Sequence, residues 1–200
     1  MGTTPLLLLK SLPGNTAGID EAGRGALAGP VVACCVVFKE SFSFHGDIND
    51  SKRLSPKKRN QLFNDIIPHI HLGIGMATHR LINKKNILNA TLMAMKTAIR
   101  RFPASIGHAI IDGNTAPKLT ISYETMVKAD AKIPEVMMAS ICAKVIRDRL
   151  MHKYHRIYTG YGFDGHKGYG TKKHYNALFD LGHCPIHRTS FNLTKQLTLF

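Results

Sequence analysis

The segment that most constrains how this chain can fold is a short apolar run that ends on two adjacent carboxylates. Residues 16–19 are typical of a β-strand, Asp20 and Glu21 follow directly, and the glycine-flanked arginine of residues 23–25 comes next. A longer run at 31–38 is rich in valine and predicts a buried strand. A turn that only reverses the chain does not need carboxylates, bare backbone and a cation side by side. The pattern therefore indicates a strand end that carries chemistry.

Helices and further strands alternate along the rest of the chain. Ser55-Pro56 predicts the start of a helix, because serine favours the N-cap and proline the first helical position. Pro134 begins the longest helical pattern, which extends to about Tyr158. Strands followed by alternating strands and helices predict one α/β domain with a mixed sheet. The remaining expected elements are strands at 70–77, 109–111, 119–122 and 126–128, helices at 86–101 and 171–181, and loops at 41–51 and 160–170.

The charge of the chain indicates its kind of partner. Its 200 residues include 27 Lys and Arg against 13 Asp and Glu, a formal net charge of +14. A surplus of this size favours a polyanionic partner, nucleic acid first and an anionic membrane surface second. No apolar run approaches the roughly 18–20 residues that span a bilayer, so we expect no membrane segment. The four cysteines lack Cys-x-x-Cys spacing and predict buried free thiols, which favours a cytoplasmic location.

Two further acidic residues stand in the same context as Asp20 and Glu21. Asp112 and Asp130 each follow an apolar, strand-like run. Carboxylates at the ends of neighbouring strands converge in space, and they repel one another unless a cation neutralises them. Ligands that are all oxygen favour Mg²⁺ or Mn²⁺, and two such ions can stabilise both the attacking and the leaving oxygen of a phosphodiester.

The alternative is a purely structural role, in which these acids only cap turns or helices, as strand-end aspartates often do. This alternative weighs most on Asp112, which a glycine follows in an ordinary turn sequence. Asp20 and Glu21 raise a geometric question as well, because consecutive strand residues point to opposite faces. They can share a site only if the strand ends between them or if a backbone carbonyl replaces one side chain.

Several short motifs occur together along the chain. They are Asp-Glu-Ala-Gly-Arg-Gly at 20–25, Asn-Asp-Ser-Lys at 49–52, Ile-Asp-Gly at 111–113, Lys-Ala-Asp at 128–130, Ala-Ser-Ile at 139–141, Ala-Lys-Val at 143–145, Arg-Asp-Arg at 147–149, His-Lys-Gly-Tyr-Gly-Thr at 166–171, His-Arg at 187–188 and Ser-Phe at 190–191. With these motifs in this order, the chain resembles bacterial ribonuclease HII, the type 2 ribonuclease H, over about residues 17–192.

The resemblance implies a ribonuclease H-like fold, an α/β arrangement with a mixed five-stranded sheet flanked by helices and a small helical C-terminal part from about residue 158. It implies a single catalytic domain at 1–195, followed by a short tail at 196–200. It also implies an endonuclease that hydrolyses the RNA strand of RNA–DNA hybrids with two divalent ions, Mg²⁺ or Mn²⁺. The cut would leave 3′-hydroxyl and 5′-phosphate ends.

The same resemblance assigns roles to single residues. The catalytic acids of the family, which also bind its metal ions, correspond here to Asp20, Glu21, Asp112 and Asp130. Its substrate-binding residues correspond to Gly23, Arg24, Gly25, Lys52, Lys144, Arg147 and Tyr169. The chain departs from the family at Ala129, where glycine is usual, and this matters only if φ is positive there.

The implied substrate contacts have physical reasons. The 2′-hydroxyl is the group that separates RNA from DNA at one nucleotide, and glycines let the backbone of residues 23–25 approach it closely. Tyr169 would stack on the next sugar and exclude a second 2′-hydroxyl, which indicates a single ribonucleotide embedded in duplex DNA and cut on its 5′ side. Lys52, Lys144 and Arg147 are expected to contact phosphates, and the alternative for each is an ordinary solvated cation.

The last five residues, 196–200, resemble the short motif by which bacterial replication and repair proteins bind the DNA sliding clamp. An apolar chain end of this kind suits insertion into a hydrophobic groove, and the alternative is a chain end that packs on its own domain. Two other functions stay open: a ribonuclease H that needs a run of several ribonucleotides, and a non-catalytic basic protein that binds nucleic acid. A monomer is the default expectation. The predicted clamp-binding residues are Gln196, Leu197, Leu199 and Phe200.

Overall fold

The computed structural model describes residues 6–9, 12–13, 15–39, 42–45 and 55–193, and for 6–9 and 42–45 the backbone alone. Its strands are β1 Leu6–Leu9, β2 Thr16–Ala22, β3 Val31–Phe38, β4 Phe42–His45, β5 Ile70–Ala77, β6 His108–Asp112 and β7 Ser122–Met126. Its helices are α1 Pro56–Ile66, α2 His79–Lys85, α3 Ile87–Arg100, α4 Pro134–Ile157, α5 Phe163–His166 and α6 Lys172–Leu181, with 3₁₀ turns at Ile67–His69 and Ala129–Ala131. Within these ranges no helix is both long and apolar enough to cross a membrane.

The main sheet has five strands in the order β5-β3-β2-β6-β7 and is mixed, as the resemblance implies. β2 lies at its centre, antiparallel to β3 and parallel to β6, and β7 continues the parallel part. In the β2–β6 pair Ile19 lies opposite Ile111, so Asp20 and Asp112 follow at neighbouring strand ends. β1 and β4 form a separate two-stranded antiparallel ribbon.

Helices cover both faces of this sheet. α1 and α4 pack on the face that carries Val32, Cys34 and Val36, whereas α3 packs on the opposite face, with Ala33 and Cys35. Because both faces are covered, every residue of β3 is buried, which explains its unbroken apolar sequence. All four cysteines are buried free thiols, as expected.

α4 lies directly against β2 at Gly18. A Cβ atom there would collide with the backbone of Glu135 and Val136, so glycine is what permits the contact. The approach brings the first turns of α4 over the end of β2. Ser140, about one helical turn beyond Val136, consequently reaches the Asp20 carboxylate.

The structure departs from the expected elements where backbone pairing outweighs the side-chain pattern. β2 runs on to Ala22 because it keeps pairing with β3 to that residue. The two short strands expected at 119–122 and 126–128 are wrong, since one edge strand, β7, takes their place and its exposed residues leave no apolar pattern. β4 lies inside the expected loop at 41–51, and no apolar pattern predicts the short helix α2.

Candidate active site

A cleft of about 340 Å³ opens where β2 ends. Its walls come from the end of β2, the loop that follows, α1, α4 and the segment before α6. The lining residues are Glu21, Ala22, Gly23, Arg24, Gly25, Arg59, Ser140, Ile141, Lys144 and Tyr169. Most of the described residues that the sequence assigns to the substrate therefore share one cleft with a predicted catalytic acid. The predicted contacts Lys52, Gln196, Leu197, Leu199 and Phe200 lie outside the described residues.

Asp20 lies beneath the cleft, 5% exposed, on the face of the sheet that α4 covers. One of its carboxylate oxygens accepts a hydrogen bond from the Glu21 amide at 2.7 Å, and the Ser140 side chain forms another hydrogen bond with it. Burial raises the pKa of Asp20 to about 8, and the neighbouring charge of Glu21 adds to the rise. The carboxylate is thus placed where its ionised form needs a counter-charge.

Glu21 points away from Asp20, because β2 does not end between them. Across the strand pair Asp20 lies opposite Cys34 on the α4 face, whereas Glu21 lies opposite Ala33 on the α3 face. Glu21 Oε1 lies 3.4 Å from Arg24 Nη1 at the rim of the cleft. Burial raises the pKa of Glu21, and the charge of Arg24 opposes that rise. Asp20 and Glu21 could share a site if the strand ended between them or if a backbone carbonyl replaced one side chain. The structure excludes the first of these.

Asp112 comes within electrostatic reach of both these acids. After burial, its charge is among the causes that raise the pKa of Asp20 and of Glu21. One Asp112 oxygen accepts a hydrogen bond from the Ala129 amide at 2.8 Å, which ties the end of β6 to the turn after β7. Three of the four predicted acids therefore influence one another, and the fourth, Asp130, follows the residue that Asp112 holds.

Asp130 lies in the 3₁₀ turn and is 3% exposed. The positive φ in this segment belongs to Lys128, at 60°, and not to Ala129. Alanine in place of the family's usual glycine at 129 therefore causes no backbone strain.

The described residues contain no group of three His, Cys, Asp or Glu side chains close enough to hold a metal ion as they stand. The donor set nevertheless fits a hard divalent cation, because every predicted ligand is a carboxylate and oxygen ligands suit Mg²⁺ and Mn²⁺. A cation among these acids would also offset the burial and repulsion that raise the pKa of Asp20. The residues that would hold it are Asp20, Glu21, Asp112 and Asp130.

The loop after β2 contains two glycines with different requirements. Gly23 has a φ of +97°, and a Cβ there would collide with the Arg147 side chain, so the fold requires glycine. At Gly25 the φ is not positive, and a Cβ would meet no atom within 4 Å. The fold therefore requires glycine at position 23 but not at position 25.

Arg147, which the sequence assigns to the substrate, is fully buried under this loop. Its guanidinium donates to the carbonyl oxygens of Pro30 at 2.9 Å and Ala28 at 3.2 Å, and it lies 5.1 Å from the centre of the Tyr169 ring. Burial lowers the pKa of Arg147. In this arrangement Arg147 supports the cleft from beneath, and its phosphate contact stays a prediction.

Arg188 is a second fully buried arginine under the loop. It donates to the carbonyl oxygens of Gly23 at 2.7 Å, Arg24 at 2.8 Å and Gly29 at 3.0 Å. Burial lowers the pKa of Arg188 to about 9, and the charge of Arg147 adds to the effect, so the guanidinium still carries its charge at neutral pH. Sequence reasoning does not find this residue as part of the site, because its partners lie at the other end of the chain.

Tyr169 faces the cleft, and its backbone is fixed on both sides. Its amide donates to the His166 carbonyl at 2.9 Å, and its carbonyl accepts from His174 Nδ1 at 3.0 Å. A β-bridge pairs it with Ala26 in the loop after β2, and Lys144 Nζ lies 5.5 Å from its ring centre. The tyrosine and the loop therefore form one hydrogen-bonded unit.

Three histidines form a cluster behind Tyr169 that sequence spacing does not reveal. The rings of His166 and His174 stack at 4.3 Å, and the Nε2 atoms of His174 and His187 lie 3.0 Å apart. Burial lowers the pKa of His174 and of His187 to about 4, so both are neutral at pH 7. The Cys184 amide donates to His187 Nδ1 at 2.9 Å. His187 Nε2 is thus the donor to His174, whose Nδ1 in turn donates to the Tyr169 carbonyl.

Arg59 and Lys144 supply positive charge at the opposite wall of the cleft. Lys144 Nζ lies 2.7 Å from Asp148 Oδ1, and Arg59 Nη1 lies 3.9 Å from Asp148 Oδ2. The Arg59 side chain is only 11% exposed. One carboxylate thus holds two cations beside the space that a nucleic-acid strand would occupy.

Comparisons with known proteins agree with this arrangement. A family model described as ribonuclease HII matches residues 17–194. A ribonuclease HII from Clostridioides difficile (strain 630) is 50% identical over 175 residues, which cover 87% of this chain and 68% of that protein. The ribonuclease H2 from Pyrococcus horikoshii OT3 has a similar structure, with a TM-score of 0.73 at 24% identity over 91% of this chain and 96% of that one. The structure of the PCNA:RNase HII complex from Archaeoglobus fulgidus gives a TM-score of 0.70 at 22% identity, over 87% of this chain and 92% of the matched chain.

Proposed function

This chain belongs to the ribonuclease HII family, and we propose that it cuts DNA duplexes on the 5′ side of single embedded ribonucleotides. Membership makes it a ribonuclease H, a divalent-metal-dependent endonuclease that hydrolyses RNA paired with DNA. The proposal adds the preferred substrate and the position of the cut. Hydrolysis at that position leaves a 3′-hydroxyl and a 5′-phosphate.

The observation that carries the proposal is a bare stretch of loop backbone beside the acids. Gly25 has an ordinary φ and open space around its missing Cβ, so the fold does not require glycine there. Because Gly25 also lines the cleft, its missing side chain leaves the loop backbone open to an occupant of the cleft. A ribose 2′-hydroxyl is the group that close backbone approach would recognise, and it is the group that separates RNA from DNA.

Tyr169 supports a junction between a ribonucleotide and a deoxyribonucleotide. Its ring lines the same cleft as Gly25, and His166 and His174 fix its backbone. A ring held in this way would stack on the sugar after the ribonucleotide and leave no room for a second 2′-hydroxyl. This favours single ribonucleotides over long RNA tracts.

The carboxylates support catalysis rather than binding alone, because a purely electrostatic binding protein leaves their burial unexplained. Metal ions held here polarise the scissile phosphate and activate the attacking water when they are bound. Ser140 holds the Asp20 carboxylate, and the Ala129 amide holds that of Asp112. We propose that Lys52 and Lys144 contact phosphates and that Arg147, which is fully buried, adds its positive charge from beneath the cleft. The proposed ligands of Mg²⁺ or Mn²⁺ are Asp20, Glu21, Asp112 and Asp130.

A DNA duplex with one ribonucleotide tests the proposal. With Mg²⁺ or Mn²⁺, we expect a single cut on the 5′ side of the ribonucleotide, mapped by end-labelling both strands. The Gly25→Ala variant should lower kcat/KM by about 10-fold or more, because the added methyl group obstructs the approach of the ribose, and its melting temperature should not change. Gly165→Ala is the matched control, since Gly165 also has an ordinary φ and open space but lies in α5.

Two results would contradict the proposal, each in favour of a different function. Cleavage restricted to duplexes with several consecutive ribonucleotides would identify a ribonuclease H that needs long RNA tracts. Tight binding of the duplex without any cleavage would identify a non-catalytic nucleic-acid-binding protein.

We also propose that residues 196–200 bind a DNA sliding clamp. The support is the Gln-Leu-Thr-Leu-Phe sequence, together with an archaeal structural neighbour that was solved as a PCNA:RNase HII complex. Deleting residues 196–200 is expected to abolish pull-down by the clamp and to leave cleavage of the single-ribonucleotide duplex unchanged. Equal pull-down of the full-length and shortened chains would refute the role of this tail.

A further inference from the structure

The guanidinium of Arg188 is shared among three carbonyl oxygens of one loop. Nη2 donates to Gly23, Nη1 to Arg24 and Nε to Gly29, all at 2.7–3.0 Å. The side chain is fully buried and lies outside the lining of the cleft. The hydrogen bonds of the guanidinium therefore go to this loop, and Arg188 would not touch a nucleic acid in the cleft.

Burying this cation has a free-energy cost that packing alone does not explain. Within the described ranges Arg188 forms no ion pair with a carboxylate, and Arg147 brings a second buried cation close to it. An apolar side chain would fill the same space without desolvating a charge. The planar fork of a guanidinium offers, in exchange, several donors in fixed directions.

Those directions determine how the loop presents its amides. In a trans peptide the N–H points opposite to the C=O of the same unit. With the Gly23 and Arg24 carbonyls directed at Arg188, the N–H groups of Arg24 and Gly25 point away from it. Gly23, Arg24 and Gly25 line the cleft, and Arg188 does not.

Arg188 is itself firmly placed. Its amide donates to the Leu27 carbonyl at 2.8 Å, its carbonyl accepts from the Phe191 amide at 2.9 Å, and its guanidinium lies 5.2 Å from the centre of the Phe191 ring. The residue therefore transmits a fixed position from the C-terminal segment to the loop.

We infer that Arg188 is a positioning residue for recognition of the ribonucleotide: it fixes the peptide planes of residues 23–25 so that their amides meet the ribose. This inference rests on the proposed function, because it assumes that the loop recognises the 2′-hydroxyl. Selectivity for a ribonucleotide then depends on a side chain that never contacts the substrate.

The Arg188→Lys variant tests the inference in the metal-loaded, full-length enzyme. Lysine keeps the charge but offers a single ammonium, which cannot span three carbonyl groups. We expect kcat/KM on the single-ribonucleotide duplex to fall by about 10- to 100-fold, with the loss mainly in kcat, because the ribose is bound but misplaced. The inhibition constant of an all-DNA duplex, measured in the same assay, should stay within about twofold, since phosphate contacts determine it.

Two further variants separate positioning from general stability. Met95→Ala truncates a buried side chain on the α3 face of the sheet, so it should lower the melting temperature. It should leave unchanged the selectivity, which is kcat/KM on the single-ribonucleotide duplex compared with the inhibition constant of the all-DNA duplex. Phe191→Leu removes the ring beside the guanidinium and keeps Arg188, so it should lower selectivity in the same direction by about 2- to 5-fold.

The outcomes are distinct. Unchanged selectivity in Arg188→Lys, or an equal loss for both duplexes, would overturn the inference. If Arg188→Lys fails to fold, Phe191→Leu decides, and selectivity equal to wild type there would overturn the inference as well. A wild-type enzyme that does not distinguish the two duplexes would instead overturn the proposed function.

Discussion

The carboxylate end of the sheet and the loop beside it meet in one cleft, yet they are built in opposite ways. Asp20 and Glu21 point to opposite faces, and burial raises the pKa of both. The charge of Asp112 adds to both rises, and that of Glu21 adds to the rise at Asp20. The loop is joined to the C-terminal segment by backbone hydrogen bonds, such as that from the Leu27 amide to the Gly168 carbonyl at 2.8 Å. The ionised acids lack a cation to offset their burial, whereas the hydrogen bonds that hold the loop are already formed.

The difference teaches that chemistry and selectivity in this cleft rest on different kinds of interaction. Side-chain charge determines the chemistry, and the free-energy cost of burying that charge falls when a metal ion binds. Under the proposed function, backbone geometry determines selectivity, and that geometry is formed before the substrate binds, which lowers the entropy lost on binding. Substitutions in the two regions should therefore have separable effects on cleavage and on stability.

Replacing Asp112 by asparagine should have the largest effect, and it should lower the rate of cleavage without lowering stability. We expect kcat to fall by about 10³-fold, because a metal ligand is lost. Stability should barely change, because the amide oxygen of asparagine can still accept the hydrogen bond from Ala129. Single-turnover cleavage at saturating Mn²⁺ measures the first effect and urea unfolding the second. Glu124→Gln, an exposed acid on β7, is the control and should cut like wild type; wild-type rates in Asp112→Asn would remove this residue from the site.

Replacing Gly23 by alanine should damage the loop that the fold itself requires. The positive φ and the collision with Arg147 should lower the free energy of unfolding by about 2–4 kcal/mol. Gly25→Ala, two residues away, should change it by less than about 0.5 kcal/mol. Urea titrations of both variants make the comparison. Equal stabilities would show that the loop is not fixed in the way described.

Acidification should weaken the loop side through the histidines behind Tyr169. Burial lowers the pKa of His174 and His187 from 6.5 to about 4, so the unfolded chain takes up protons first as the pH falls. Stability is therefore full above pH 6.5 and is lost as the pH falls toward 4, by about 2–4 kcal/mol in total.

Urea unfolding at a series of pH values measures this loss. His187→Gln should flatten the curve, and His155→Asn, a more exposed histidine paired with Asp164, should leave its slope as in wild type. His166, the third member of the cluster, also has its pKa lowered by burial, and Tyr161 lies beside His187, so some slope should remain in His187→Gln. Parallel curves for wild type and His187→Gln would exclude the cluster as the cause.

Replacing Asp20 by asparagine should change stability less than Gly23→Ala or the protonation of the histidines, and with the opposite sign. Because the pKa of Asp20 is about 8 in the folded protein and 3.8 without burial, folding at pH 7 without divalent ions requires this carboxylate to take up a proton. Asparagine avoids that cost and should raise the free energy of unfolding by about 1 kcal/mol. Mg²⁺ should then raise the melting temperature of wild type more than that of the variant. Calorimetry with and without Mg²⁺ checks both points, and equal shifts would mean that the ion binds elsewhere.

The sequence predicts the parts of this molecule that local pattern controls. β3 has the expected bounds because both of its faces are buried, and Ser55 accepts the hydrogen bond from the Lys58 amide that defines the predicted N-cap. Asp112 ends β6 as expected, whereas Asp20 and Glu21 lie inside β2, which continues to Ala22, and Asp130 lies in the 3₁₀ turn after β7. β7 shows the limit, since an exposed edge strand is held by backbone pairing with one neighbour and needs no apolar pattern.

What the sequence does not predict are contacts between distant segments. Helical spacing places Arg147 on an edge of α4, but it cannot show that residues 28–30 fold over that edge and bury it. The bonds from Arg188 to Gly23 and Arg24 join positions more than 160 residues apart, and no local signal marks them. The pleat of β2 likewise settles the orientation of Glu21 only once the pairing to Ala22 is known.

The β-bridges of the loop also determine when, during synthesis of the chain, the loop can close. Ala26 pairs with Tyr169 and Ala28 with His187, so the loop after the second strand closes only against the far end of the chain. A protein is made from its N-terminus, and domains fold as their segments emerge from the ribosome. The nascent chain thus carries the proposed metal ligands well before it can close the loop beside them. Under the proposed function, the growing chain acquires its selectivity for a ribonucleotide after its acids.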